Sequence, residues 1–236
     1  NHFYDKWYLG WPDNPDKQPN WESWLVTTEE AGQVHHDEIE VAKATLSHKE
    51  FRQEYMASFE NLTGVVFNEF HPQENVRSDI TLSPHTNAKQ PPLLIGMDFN
   101  VGKMCAIVCI RQGRELWAVE EIVLEDSNTK EMGAEIQRRY PDRQIIVYPD
   151  PSGKRRQTSA INSDHQILKQ FGFHIKAKRS HPAVRDRINE TNALLCNANG
   201  DRRLFIHPRC KELTKCLRGL TYKSNGEVDK DLGLDH

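Results

Sequence analysis

Most of what this chain can fold into is decided by "LLIGMDFNVGKMCAIVCIRQGRELWAVEEIVL", residues 93–124. It contains three stretches rich in β-branched, aliphatic and aromatic residues. Short breaks separate them, one of them at Gln112-Gly113. Such stretches favour strands, and a short Gly-containing break between two of them favours a hairpin. The spacing therefore predicts three consecutive antiparallel strands. One residue does not suit its surroundings: Asp98 is a carboxylate in an apolar run.

Downstream, helical and strand patterns alternate. "TKEMGAEIQRRY" puts Met132, Ile136 and Tyr140 on one helical face, and "RQIIVYPD" is a fourth strand ending at Asp150. "AINSDHQILKQFG" is a helix stopped by Gly172, and "FHIKAK" a fifth strand. "PAVRDRINETNALLCNANG" is a long helix with Pro182 in its first turn and Gly200 past its end. "RLFIH", "PRCKELTKCLRGL" and a small hairpin around Asn225-Gly226 complete the series. Three antiparallel strands followed by alternating helices and strands define an α/β fold, a mixed sheet with helices on its faces.

The first 92 residues have a different character. Four of the five tryptophans, Trp7, Trp11, Trp21 and Trp24, fall in the first thirty residues around the turn-rich "PDNPDKQPN". Ile39, Ala42 and Leu46 are spaced for one helix. Ser47 with Glu50 makes a capping-box pattern for a second, whose stripe is Phe51, Tyr55 and Phe59. "TGVVFNEF" is a strand candidate, and the polar, proline-bounded 71–92 has the composition of a linker. The chain opens without Met and is expected to be part of a longer protein.

Net charge is −3, but it is unevenly spread: residues 1–90 hold 7 Lys and Arg against 15 Asp and Glu, whereas residues 151–223 hold 16 against 5. A basic body of this kind suits a polyanionic partner. Five cysteines without a CxxC pair suit free thiols in a reducing compartment, with Cys105 and Cys109 packed in the core. No run approaches the length needed to span a bilayer, and no signal-peptide pattern opens the chain.

Asp98 and Asp150 each arrive at the end of an apolar strand. If the first and fourth strands are neighbours, the two carboxylates meet at one edge of the sheet. Side by side they repel, and each gains a proton unless a cation lies between them. Hard divalent ions, Mg²⁺ or Mn²⁺, are the fitting partners, and a pair of them supports phosphodiester hydrolysis.

The segments "IGMDFNVGKMCAIV", "VYPDPSGKRRQTSAINSDHQIL", "VRDRINETNALLCNANGDRRLFIHPRCKEL" and "GEVDKDLGLDH" resemble, in order, the nuclease domain of tailed-phage terminase large subunits, a ribonuclease H-like fold shared with resolvases and integrases. "NHFYDKWYLGW" resembles the end of the terminase motor domain. The resemblance implies an endonuclease with two Mg²⁺ or Mn²⁺ ions that cuts concatemeric viral double-stranded DNA during packaging. It also implies a small terminase subunit and a portal protein as partners, and a phage or prophage protein acting in the host cytoplasm. It implies residues 1–70 as a motor remnant, 71–92 as the linker and 93–236 as the nuclease. Asp98 and Asp150 match the first two metal ligands. The third belongs to an H-x-x-D-A pattern at the last helix. His236 matches its leading His, so Asp235 serves as the third ligand or the matching Asp lies further on.

No G-x-x-x-x-G-K-[ST] occurs, so this chain is not expected to hydrolyse ATP. Lys154, Arg155 and Arg156, close behind Asp150, form one expected set of phosphate contacts. Lys176, Lys178, Arg179, Arg185 and Arg187 form another. Lys103 is expected to support Asp98 by an ion pair, and Glu120 or Glu121 to face either solvent or the site. A resolvase- or transposase-like nuclease of the same fold is the competing reading. A non-catalytic module that docks DNA or a portal protein is the other.

Overall fold

The computed structural model describes residues 2–12, 14–59, 64–79, 90–99, 102–154, 162–180, 182–231 and 233–234. Four helices come first: α1 (His2–Tyr8), α2 (Thr28–Ala31), α3 (His36–Thr45) and α4 (His48–Tyr55). A single turn, α5 (Pro72–Asn75), leads to β1 (Leu93–Asp98), β2 (Lys103–Gln112) and β3 (Glu115–Glu125). Then come α6 (Thr129–Arg139), β4 (Ile145–Pro149), a 3₁₀ turn at Pro151–Lys154, α7 (Asp164–Gln170), β5 (His174–Ile175), α8 (Val184–Leu195), β6 (Leu204–Ile206) and α9 (Lys211–Gly219).

The strands form one sheet in the order β5-β4-β1-β2-β3-β6. The pairs β1–β2 and β2–β3 are antiparallel, and β1–β4, β4–β5 and β3–β6 are parallel. The hairpin turns at Gly113 and Arg114, one residue later than the composition suggests, with Gly113 at φ 59°. The register shifts between Val108 and Cys109 of β2, where β3 carries one extra residue, Val119, as a bulge.

Alternation decides which face each strand residue covers. Leu93, Ile95 and Met97 of β1 and Ile145 and Val147 of β4 point to one side, where Met132 and Ile136 of α6 and Leu168 of α7 close the main core. The opposite face packs Ala118, Ile107 and Cys109 against Leu195 of α8, Ile206 of β6 and Leu217 of α9. The sheet is thus the middle of three layers, and Asp98 and Asp150 lie on the side of α8 and α9.

The fifth strand is shorter than predicted. Only His174 and Ile175 pair with β4, because β5 lies at the sheet edge and has one neighbour to satisfy it. Of the predicted strand over 63–70, the described residues 64–70 form a single bridge, Val65 with Thr221, followed by the Val66 amide donating to Leu220 O at 2.8 Å. The chain turns at Phe67–Phe70 and buries Phe70 in the second core.

Within the span of linker composition, residues 71–77 are folded onto the body. The Asn75 side chain, fully buried, donates to Leu195 O and Leu204 O, both at 3.0 Å, and the Arg77 amide donates to Ile206 O. Residues 80–89 lie outside the described ones. The α3–α4 pair joins the body through Ala44, whose carbonyl accepts from Asn197 Nδ2 at 2.9 Å and from Arg203 Nη2 at 2.8 Å. Ser47 caps α4 by accepting the Glu50 amide, while the Glu50 carboxylate takes the Asn189 amide of α8 at 2.8 Å.

Candidate metal and nucleic-acid site

The register of β1 and β4 pairs Gly96 with Tyr148 and Met97 with Pro149, which brings the next residues, Asp98 and Asp150, to the same level. The Asp150 amide continues the ladder by donating to Met97 O at 3.2 Å. Paired residues of parallel strands share a face, so both carboxylates leave the sheet on the side of Gly96 and Tyr148. Both line one cleft of about 930 Å³. It opens beyond the carboxyl ends of β1 and β4, where the connections part in opposite directions, which is the usual place for a ligand in an open α/β sheet. Gly96 leaves the floor open: an added Cβ there would meet nothing within 4 Å.

Five basic or aromatic side chains share the cleft: Lys176 and Lys178 beyond β5, Arg187 on α8, Lys230 near the end of the chain, and Tyr148 on β4. Glu190 and Thr191 of α8 line its far wall. Lys230 and Tyr148 were not singled out from the sequence. Tyr148 carried a signal in the alternation of β4, which puts it on the face of Asp150; Lys230 carried none, since it sits in an acidic, turn-rich stretch.

The other expected phosphate contacts are placed differently. Arg185 lies 3.9 Å from Glu54 of α4, and Arg179 is exposed past Lys178 without lining the cleft. Lys154 closes the 3₁₀ turn by its backbone; its side chain, together with Arg155, Arg156 and Asp235, lies outside what the structure describes. Among the described residues no group of three or more His, Cys, Asp or Glu is arranged to hold a metal ion.

Behind Asp98 is a smaller pocket of about 260 Å³ lined by Cys105, Glu121, Glu212 and Leu213. Lys103 does not serve Asp98 as the sequence suggested. Its ammonium donates to Glu212 Oε2 of α9 at 2.9 Å, a bond that raises the Lys103 pKa and lowers that of Glu212. Glu121 faces inward and accepts the amides of Glu212 and Leu213, both at 2.9 Å. Glu120 is held by Arg139 at 2.6 Å and by the Tyr140 hydroxyl. Burial pushes the Cys105 thiol up, Lys103 pulls it down, and the charges of Asp98, Glu121 and Glu212 add to the rise. A neutral thiol thus faces the acid across β1 and β2, where Asp98 pairs with Cys105.

A six-stranded mixed sheet with an antiparallel first half, two flanking helical layers and an acid at the end of each of two central strands defines a ribonuclease H-like domain. A sequence model of the terminase RNaseH-like domain family matches residues 95–235, and the chain belongs to that family. Among solved structures, the large terminase of a thermophilic bacteriophage matches with a TM-score of 0.63 at 13% identity, over 89% of this chain and 50% of that one. The nuclease domain of the P22 large terminase matches with a TM-score of 0.55 at 12% identity, over 71% of this chain and 84% of that one. At such identities the likeness is one of fold. The chain spans about half the length of the thermophilic phage protein. A search of curated proteins found no match.

Proposed function

We propose that this chain is the nuclease portion of a terminase large subunit, a metal-dependent endonuclease that cuts concatemeric viral double-stranded DNA during packaging with little sequence preference. The observation that carries the reading is the convergence of Asp98 and Asp150 in one cleft with Lys176, Lys178 and Arg187. The P22 relative is itself described as a nuclease domain, which agrees with it.

The donor set fits a hard divalent cation. Two carboxylates at one level of adjacent strands repel each other, and Mg²⁺ or Mn²⁺ prefers oxygen ligands of this kind. Two ions, once bound, would supply Lewis-acid stabilisation of the phosphodiester and a more acidic water. Asp98 and Asp150 hold the ions, with Asp235 proposed as the third ligand. Lys176, Lys178 and Arg187 grip phosphates on either side of the bond to be cut, and Lys154, Arg155, Arg156 and Arg179 are proposed to extend that track, whereas Arg185, beside Glu54, is not part of it. Contacts of this sort fix the strand without reading bases, which suits low sequence preference.

In the same reading, residues 1–70 are the end of the motor part, 71–92 the connection and 93–236 the nuclease. A small terminase subunit and a portal protein are the partners, and the host cytoplasm is the place of action. Among the described residues, no helix is long and apolar enough to cross a membrane.

The test is supercoiled plasmid incubated with the protein in Mn²⁺ and in Mg²⁺, beside Asp98→Asn and Asp150→Asn. Nicking by the parent that is lost in both variants, with unchanged circular dichroism, is the expected result. Nicking that survives in both variants overturns the assignment.

A further inference from the structure

Three residues outside the cleft lining connect the two acid-bearing segments behind the sheet end. Phe99 directly follows Asp98, and its ring lies over Gly153 of the 3₁₀ turn that follows Asp150. A Cβ on Gly153 would stand 2.8 Å from Phe99 Cδ2 and closer still to Cε2, so only glycine lets the ring sit there. The same ring is 6.0 Å from the imidazole of His165 on α7. His165 is 7% exposed, and its Nε2 lies 3.0 Å from Asp150 O. A carbonyl oxygen can only accept, so that nitrogen carries the proton and donates. Asp150 O also accepts the Gly153 amide at 3.2 Å, which uses both of its lone pairs.

The support for His165 is itself fixed. Ser163 and Gln166 form a reciprocal capping box at the start of α7, and Thr129 Oγ1 of α6 donates to Asp164 Oδ1 at 2.6 Å. For Asp150 the ladder contributes one bond, from its amide to Met97 O.

The geometry points to Phe99, Gly153 and His165 as positioning residues, a wedge that sets the separation of the Asp98 and Asp150 carboxylates and so the affinity of the site for divalent ions. This rests on the metal reading above. None of the three lines the cleft. Each acts through the backbone of an acid: Phe99 on the segment of Asp98 and on Gly153, His165 on the carbonyl of Asp150. A shift of a few tenths of an ångström in that spacing matters more to an ion needing near-ideal octahedral geometry, as Mg²⁺ does, than to the sheet that carries the acids.

The experiment titrates Mn²⁺ into the 236-residue protein without DNA, following free Mn²⁺ by electron paramagnetic resonance, with thermal melting on each variant. His165→Leu and Gly153→Ala are expected to weaken Mn²⁺ binding by about tenfold, the usual scale for supports of metal ligands. His165→Gln, which keeps a donor at a similar reach, restores most of the binding. Phe99→Leu in the Gly153→Ala background relieves the clash and does the same. In plasmid nicking, the half-saturating Mn²⁺ rises while the rate at saturating Mn²⁺ changes little. Phe99→Leu alone opens space without a clash and guards against a misfolded variant; it too is expected to weaken binding. If His165→Leu and Phe99→Leu bind Mn²⁺ as the parent does while Asp98→Asn does not, the wedge fails and the metal site stands. If the parent binds no Mn²⁺, the metal reading fails and takes the wedge with it.

Discussion

Glu121, on β3, accepts the backbone amide of Glu212 at 2.9 Å, and its second oxygen accepts that of Leu213 at the same distance. These amides belong to the first turn of α9, whose N-cap residue, Cys210, makes no side-chain cap bond. A carboxylate on a neighbouring strand thus does what an N-cap Asp does elsewhere. It satisfies two orphan donors and faces the positive end of the helix. Glu121→Ala is expected to destabilise the fold by about 1–2 kcal/mol, the range for lost N-caps, and Glu121→Gln by less, since an amide oxygen still accepts. Urea unfolding followed by circular dichroism measures both.

Gly133 is in the interior of α6, where replacing Gly by Ala ordinarily gains about 1 kcal/mol. Here the added Cβ would stand 2.6 Å and 2.7 Å from two ring carbons of Phe171. Phe171 ends α7, packs against the main core and stacks on Phe173, so its ring has little room to yield. Overpacking of this kind costs about 1–3 kcal/mol, enough to cancel the helix gain or exceed it. Gly133→Ala is therefore expected to lower the melting temperature, and Gly133→Ala with Phe171→Leu to recover most of the loss. A rise in melting temperature for the single variant would refute this.

The strands themselves, and the hairpin between β2 and β3, were legible in the sequence because they rest on local chemistry; that β1 and β4 are neighbours was only a supposition there, and it is their parallel register that shows it. The apolar runs ending at Asp98 and Asp150, and the Gly113 break between β2 and β3, each announce themselves without reference to the rest of the chain. Side-chain partners were not legible. Lys103 is five residues from Asp98, yet it pairs with Glu212, because the first turn of α9 brings that carboxylate within reach of the first residue of β2. Arg185 and Arg187 look equivalent as a basic pair, but they leave α8 in different directions, one toward Glu54 and one into the cleft. Residues 71–77 belong to the polar, proline-bounded span 71–92 that has the composition of a linker. Asn75 nonetheless finds two carbonyl acceptors in the body, which no composition signal reveals.

Alkaline pH should destabilise the protein. Cys210 is fully buried, and burial, reinforced by the Glu121 charge, pushes its thiol up from 9.0 to about 12. Burial raises Cys109 in the same way. A folded-state pKa above the unfolded one stabilises fully below the unfolded value and is lost as pH rises toward the folded value. The window therefore opens near pH 9. At pH 10.5 the loss from Cys210 alone is about 2 kcal/mol. Melting temperatures at pH 7.5 and 10.5 should differ less for Cys210→Ala than for the parent. An equal drop in both would show that the thiol does not carry the effect.

The cleft makes a sharper distinction among the basic residues than charge count does. Lys176, Lys178 and Arg187 line the space shared with Asp98 and Asp150, whereas Arg185 sits beside Glu54. Every phosphate neutralised releases condensed counterions, so each true contact contributes about 0.9 to the slope of log affinity against log salt on duplex DNA. Lys176→Gln, Lys178→Gln and Arg187→Gln are each expected to weaken duplex binding and reduce that slope by about one contact, equally for unrelated sequences. Arg185→Gln should leave the slope within error, because its charge is already partly answered by Glu54. Fluorescence anisotropy over a series of KCl concentrations, without divalent metal so that no cutting intervenes, reads both quantities. A slope that falls for Arg185→Gln and not for Arg187→Gln would place the DNA track along α4 and away from the two acids.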